Sequence, residues 1–177
     1  NRFQPFEGIL DDIYASAIRR YGIDGFRVDT ARHVDDAFWE TWIPALEAAA
    51  SEAGKDEFFI FGEVFGANPG YNSRFTTQLP FQGLLDFGFN DAVFRYVAAD
   101  GPSRVLASHF DNDDLFTDTD SNASMLVKFV GNHDIGRLGY ALRLEHARAG
   151  ETELLARMRL AMGLLFLTRG VPVVFYG

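Results

Sequence analysis

The chain has 177 residues, of which 47% are hydrophobic and 15% aromatic, with 18 Phe, so it can bury a domain-sized core and is too apolar for a disordered segment. Its formal net charge is −9, which disfavours nucleic acid and anionic membrane surfaces as partners, because nothing offsets their phosphate charge. It has no cysteine, which excludes disulfides, thiolate metal sites and a Cys nucleophile, and no apolar stretch reaches membrane-spanning length.

Short apolar runs alternate with helical patterns, the signature of βα units and a parallel sheet. A helix is expected over residues 6–20, where Ile9, Leu10, Ile13, Tyr14, Ala17 and Ile18 recur at helical spacing. Gly25-Phe26-Arg27-Val28 forms a first strand. A second helix is expected over 35–50, with Asp35 or Asp36 as N-cap and Pro44 predicting a kink or break. Phe58-Phe59-Ile60-Phe61 is a continuous apolar run, as in a strand buried on both faces. Residues 66–82, rich in Gly, Asn, Pro and Ser, read as a long loop. Leu84-Leu85-Asp86-Phe87 is the third strand, followed by helical patterns at 90–99 and 103–110 and an acidic surface loop over 111–122. Met125 to Val130 is the fourth strand. A long helix over 151–167 carries Leu154, Leu155, Met158, Met162 and Leu165 as its buried stripe, and Val171 to Phe175 is the fifth strand.

Five strands alternating with helices fit either an open doubly wound sheet or part of a (β/α)8 barrel of about 250 residues. At roughly 30 residues per unit, five of eight strands match a truncated barrel. Both ends of the sequence read as cuts through a longer chain.

The informative pattern is polar residues at the carboxyl ends of apolar strands, where parallel sheets build their sites. Asp29 ends the first strand, Glu63 the second, and Asn132-His133-Asp134 follow the fourth. Arg27, two residues before Asp29, points to the same face. One acid at a strand end caps the next helix or pairs with a base about as often as it carries function. Three acids, an Arg and a His on one rim are harder to dismiss, because the like-charged acids repel unless a function or a cation holds them together. Paired carboxylates suit glycoside cleavage, one attacking the anomeric carbon or guiding water, the other protonating the leaving oxygen. Phe61 and Phe65 would give Glu63 an apolar flank, and Arg27 would keep Asp29 ionised. The same residues also permit Mg²⁺ or Zn²⁺ chemistry on phosphate esters. Against that stand the missing Gly-rich phosphate loop, Walker pattern and His-x-x-x-His pair.

Four segments together resemble the α-amylase family of glycoside hydrolases. Gly25-Phe26-Arg27-Val28-Asp29-Thr30-Ala31-Arg32-His33-Val34 resembles its strand-4 motif and Phe61-Gly62-Glu63-Val64-Phe65 its strand-5 motif. Phe129-Val130-Gly131-Asn132-His133-Asp134 resembles its strand-7 motif, and Gly170-Val171-Pro172-Val173-Val174-Phe175-Tyr176-Gly177 its strand-8 motif. Gly-Glu-Val alone is weak, but the four in order are specific. The resemblance implies that residues 1–177 are the C-terminal portion of a catalytic (β/α)8 barrel, from the helix before strand 4 through strand 8.

It implies roles as well. Asp29 matches the nucleophile, Glu63 the general acid/base and Asp134 the third acid, which binds sugar hydroxyls and favours the distorted transition state. Arg27 matches the Arg that orients the nucleophile and His133 the His that bonds sugar hydroxyls. The reaction would retain configuration, with the two catalytic carboxyls about 5–5.5 Å apart. Arg32-His33 falls where many amylases have Lys-His. Arg32 would contact the leaving-group side of the sugar chain, and the His33 carbonyl would ligate a structural Ca²⁺, although His33 reads equally well as a surface residue at a helix entry. No cofactor is needed for the chemistry. The substrate would be an α-glucan or maltooligosaccharide, and the resemblance points to a secreted or periplasmic bacterial protein. α-Glucosidase, glucanotransferase and sugar isomerase activities use the same framework, and a non-catalytic binding module is the remaining alternative. The strand-3 motif, the domain inserted after it and the C-terminal β-domain of the family are missing, so the segment alone is expected neither to fold stably nor to hydrolyse starch.

Among the aromatics, Phe58, Phe59, Phe61, Phe129, Phe166 and Phe175 read as core. Phe65, Tyr71 and Phe75, in the loop after Glu63, are the candidates for a sugar-stacking platform.

Overall fold

The structure is a computed structural model that describes residues 4–176, apart from the side chains of residues 4–7 and 9. Gly177 of the last motif and the side chain of Ile9 lie outside the described residues.

Helix α1 (Gln4–Tyr21) leads into β1 (Gly25–Val28), α2 (Asp36–Glu52) and β2 (Phe59–Gly62). β1 and β2 pair in parallel, Gly25 opposite Phe59 through Val28 opposite Gly62. Gly25 is required there, since a Cβ would lie 2.1 Å from the Phe59 carbonyl oxygen. β2 pairs with β3 (Gly83–Leu84), again in parallel. β4 (Val127–Lys128) and β5 (Val171–Pro172) form a second parallel pair. A parallel bridge between Leu85 and Val127 joins the two sets, reinforced by the Asp86 N–H donating to the Val127 carbonyl at 2.9 Å. The strand order therefore follows the chain from β1 to β5 and never reverses. A doubly wound sheet needs a reversal, its topological switch point, and the described strands contain none.

One core cluster sits between α1, α2 and the first strands, around Ile18, Trp42, Ile43, Leu46 and Ile60. Phe26 meets Tyr14 and Phe58 edge-on at 5.4 and 5.8 Å within it. A second gathers Phe89, Val97, Leu142 and Leu165. Between them, Phe59 and Phe61 pack on Leu85, Phe87, Val127 and Phe129, an apolar wall that crosses the strands.

Several elements depart from expectation. α2 runs unbroken through Pro44, which lies on its exposed side, where the carbonyl one turn back can bond water instead. The stretch read as a long loop holds two single-turn helices, α3 (Pro69–Asn72) and α4 (Arg74–Thr77), the first started by Asn68 accepting from the Tyr71 N–H at 3.1 Å. Asp86 does not continue a strand. It caps α5 (Phe87–Val93) by accepting from the Phe89 N–H at 2.8 Å, and the helix passes into a π turn over Phe94–Ala98. α6 covers Arg104–Phe110, and the acidic loop contains a 3-10 turn, Asp113–Phe116, with Phe116 buried.

α7 (Leu138–Glu145) precedes the expected long helix α8 (Glu151–Leu167). Of the stripe assigned to α8, Leu154 and Leu165 are buried but Leu155 is exposed, and Phe166, expected in the core, is 56% exposed. Ile13 of α1 also faces outward, and Tyr14 packs on Phe26 only at the margin of the core. A helix that is apolar all round suits burial on every side, so periodicity alone could not say which face of α8 would meet this core. No described helix is long and apolar enough to cross a membrane.

Candidate active site

The register of β1 on β2 sets Asp29 and Glu63 side by side at one end of the sheet, each one residue beyond the last pair. The Glu63 N–H donates to the Val28 carbonyl at 2.8 Å, and the Ala31 N–H donates to the Glu63 carbonyl at 2.9 Å. A Cβ on Gly62 would press to 3.0 Å against the Phe81 ring, so glycine lets the ring close in behind the acid.

Arg27 spans both carboxylates. Its Nη1 bonds Asp29 Oδ1 at 2.5 Å and its Nη2 lies 3.2 Å from Glu63 Oε2. The two acids differ in setting: the Asp29 side chain is 66% exposed and that of Glu63 is 9% exposed. The Arg27 hydrogen bond, then one from the Glu63 carboxyl, hold the Asp29 carboxyl below the usual carboxylate range, with the charges of Arg27 and His133 adding to the effect against its partial desolvation. An accessible, ionised carboxylate beside a buried carboxyl can attack a carbon centre while its neighbour handles a proton.

Thr30, next to the nucleophile candidate, sits at φ 48°, ψ 37°. That left-handed backbone costs an L-residue about 1–2 kcal/mol, and β-branched residues rarely adopt it. In this conformation the Thr30 N–H donates to Glu63 Oε2 at 3.1 Å. Nothing in the sequence signals this strained donor, since Thr carries no turn signature comparable to Gly or Asn.

His133 and Asp134 occupy the same rim, close enough for His133 to lower the Asp29 carboxyl. Asn132 folds the turn that presents them, its Oδ1 accepting from the Asp134 and Ile135 N–H groups at 2.9 Å each. His133 Nε2 lies 3.4 Å from Asp134 Oδ1, and both side chains are open to solvent. Asp134 makes no ion pair with the Asp29–Arg27–Glu63 group among the described contacts.

Arg32 is engaged by protein: its Nη1 donates to the Phe65 carbonyl at 2.8 Å, and its guanidinium lies 5.8 Å from the centre of the Tyr71 ring. His33 ends the 3-10 turn Ala31–His33 and is exposed. The carboxylates that follow it are occupied, Asp35 by the Ala37 N–H at the start of α2 and Asp36 by Arg74. Among the described residues no group of three or more His, Cys, Asp or Glu is gathered that could hold a metal. These residues do not by themselves build a calcium cage at His33. Of the aromatic platform candidates, Phe65 and Tyr71 are exposed, Phe65 lying 4.7 Å from Phe87. Phe75 is 1% exposed and belongs to the core, which removes it as a platform.

The family model for the alpha-amylase catalytic domain matches residues 6–177. The chain belongs to the alpha-amylase family. It is 44% identical over 170 residues to an alpha-amylase of Streptomyces lividans, covering 96% of this chain and 18% of that protein. It is 30% identical over 176 residues to a cyclomaltodextrin glucanotransferase of Klebsiella oxytoca, covering 88% of this chain and 26% of that protein. The alpha-amylase of Geobacillus thermoleovorans, solved in complex with acarbose, superposes with a TM-score of 0.82 at 28% identity, over 97% of this chain and 36% of that one. The chain thus spans about a fifth to a third of these relatives. Within the alpha-amylase family framework, the parallel strands and the four motifs fall in the expected order, and the Arg27-bridged acids sit on the end of the sheet where the sequence placed them.

Proposed function

We propose that this chain supplies strands 4 to 8 of a (β/α)8 barrel that hydrolyses α-1,4-glucosidic bonds in starch-like α-glucans with retention of configuration. The observation that carries the reading is the Arg27 bridge, which sets an exposed, ionised Asp29 beside a buried Glu63.

Each residue then has a task. An Asp29 carboxylate oxygen attacks the anomeric carbon of the bound sugar. The bond from that carbon to the leaving oxygen breaks as Glu63 gives that oxygen its proton, leaving a glycosyl ester on Asp29. Water then attacks the same carbon, Glu63 takes the water's proton, and the ester bond breaks to return Asp29 as a carboxylate. Two inversions give net retention. Arg27 keeps Asp29 charged and aimed. Asp134 and His133, open on the same rim, bond sugar hydroxyls and favour the distorted ring. Glucan transfer is the second reading, favoured by the glucanotransferase relative. It shares the first step and differs only in whether water or a sugar hydroxyl takes the glycosyl group.

The test is run on the intact protein that carries this chain, with maltohexaose followed by proton NMR. The α-anomer is expected first, with shorter sugars only if water is the acceptor and longer chains if sugar is. The β-anomer appearing first would overturn the double displacement.

A further inference from the structure

We infer that Arg32 is a positioning residue that ties the turn after the nucleophile to the turn after the acid/base. The inference rests on the retaining reading above.

Three consecutive residues after Asp29 donate into the Glu63 turn. The Thr30 N–H reaches Glu63 Oε2 at 3.1 Å, the Ala31 N–H reaches the Glu63 carbonyl at 2.9 Å, and Arg32 Nη1 reaches the Phe65 carbonyl at 2.8 Å. The first two donors are backbone N–H groups, and the third is a side chain. Between the bonded positions Val64 is fully buried, so the turn is pinned at Glu63, Val64 and Phe65 in succession.

The guanidinium is itself held in place. Tyr71 lies beneath it, 5.8 Å from ring centre to Cζ, and Arg74 lies 5.9 Å from the same ring. Arg74 is anchored by its ion pair to Asp36 on α2, and Tyr71 is placed by the Asn68 cap of α3. A planar group that donates a directed hydrogen bond while lying against a ring is what Arg offers and Lys does not. The lysine that many amylases have here would keep the charge and lose this linkage. A residue serving only as a sugar contact would not need it.

α-Maltosyl fluoride separates the two roles in the intact protein. Fluoride departs without a proton and leaves no sugar on the leaving side, so kcat/KM reports attack by Asp29 alone. Turnover is then limited by attack of water on the glycosyl ester, the step in which Glu63 takes a proton. Arg32→Lys is expected to lower kcat on the fluoride about tenfold, less than the roughly 10²-fold that a misplacement of a full ångström can cost, while kcat/KM stays within about twofold. Arg32→Ala should lose more, and Tyr71→Ala should lower kcat in the same direction. Arg32 is exposed, so thermal melts of the variants should match that of the wild type. An unchanged kcat on the fluoride, with a raised KM for maltohexaose, would overturn the inference and make Arg32 a direct sugar contact. A wild-type protein that does not turn over the fluoride with retention would instead sink the retaining reading itself.

Discussion

At the ends of β1 and β2, Asp29 and Glu63 share one arginine, Arg27, while Asp134, in the turn that follows β4, has among the described contacts only the exposed His133 beside it. Among the ends of α5, α6 and α8, by contrast, Asp86 and Asp113 share Arg169, with His109 and Lys128 beside them. Arg169 Nη1 bonds Asp86 Oδ2 at 2.6 Å, while its Nη2 bonds Asp113 Oδ1 at 2.6 Å. Lys128, fully buried, donates to the Leu165 and Thr168 carbonyls at 2.7 Å each and so closes the C-terminal end of α8. Burial pushes the Asp86 carboxyl up, but the His109 hydrogen bond and the charges of His109 and Arg169 outweigh it and hold the group below the usual range. In this inner cluster each charge has a partner and faces protein. On the rim acids outnumber bases, and Asp29 and Asp134 face open space beside the buried Glu63. Balanced, enclosed charge is architecture, whereas unbalanced charge held in the open points to chemistry.

The contrast breaks if rim residues prove to matter for stability or inner residues for rate. The largest effect is expected at the rim. In the intact protein Asp29→Asn and Glu63→Gln should each lower kcat on maltohexaose by more than about 10³-fold, with melting temperatures at or above that of the wild type. Near-normal turnover in either variant would remove that residue from the chemistry.

The inner cluster should answer in the opposite way. Arg169→Met leaves Asp86 and Asp113 without their shared cation, and breaking a buried pair costs about 3–5 kcal/mol. Urea denaturation should register that loss while kcat per folded molecule stays within about twofold. The cluster also sets a pH dependence. The folded-state pKa of Asp86 lies below its unfolded value of about 3.9. Its contribution is therefore complete above that unfolded value and disappears as pH falls through the folded one. Asp86→Asn should be less stable at pH 6 and lose less on acidification than the wild type. Parallel curves for the two proteins would show that Asp86 is not the group responsible.

The two clusters were unequally legible in the sequence. Arg27, Asp29 and Glu63 stand at the ends of apolar runs, and a period of two puts Arg27 and Asp29 on one face, so local pattern was enough. Asp86 lies 83 residues from Arg169 and Asp113 lies 56 from it, and no local pattern records pairings at that distance. Asp86 looked like part of a strand because Leu84-Leu85 precede it, and its capping role becomes visible only when Phe89 folds back onto it. Strand ends were overextended for a similar reason: β3, β4 and β5 are two residues each, and ladder length depends on the partner strand. α7 left a trace in Leu138 and Leu142, both buried and one turn apart, but Gly136 and Gly139 interrupt any helical pattern around them. Phe75 and Phe166 exchanged their expected places because aromatic burial is decided by tertiary neighbours. Arg32 was recognisable as a basic residue near the site, but its bond to Phe65 was not.

Thr30 offers the finest test of the contrast, because there the rim has a structural cost of its own. Its left-handed backbone costs about 1–2 kcal/mol for a residue with a Cβ, and glycine adopts that conformation without strain. Thr30→Gly removes that cost but returns about 0.4–1 kcal/mol to the unfolded chain as added freedom. The expected result is a gain in unfolding free energy of no more than about 1.6 kcal/mol by urea denaturation. The backbone N–H that donates to Glu63 Oε2 survives the substitution, so kcat should change by less than about threefold, well short of the loss from removing a catalytic group. A variant that gains stability and keeps its rate would place the strain in the backbone alone, as the price of aiming one N–H at the acid. A rate loss of tenfold or more would mean that the threonine side chain, by restricting the turn to a single shape, helps hold Glu63 where Arg27 and Asp29 need it.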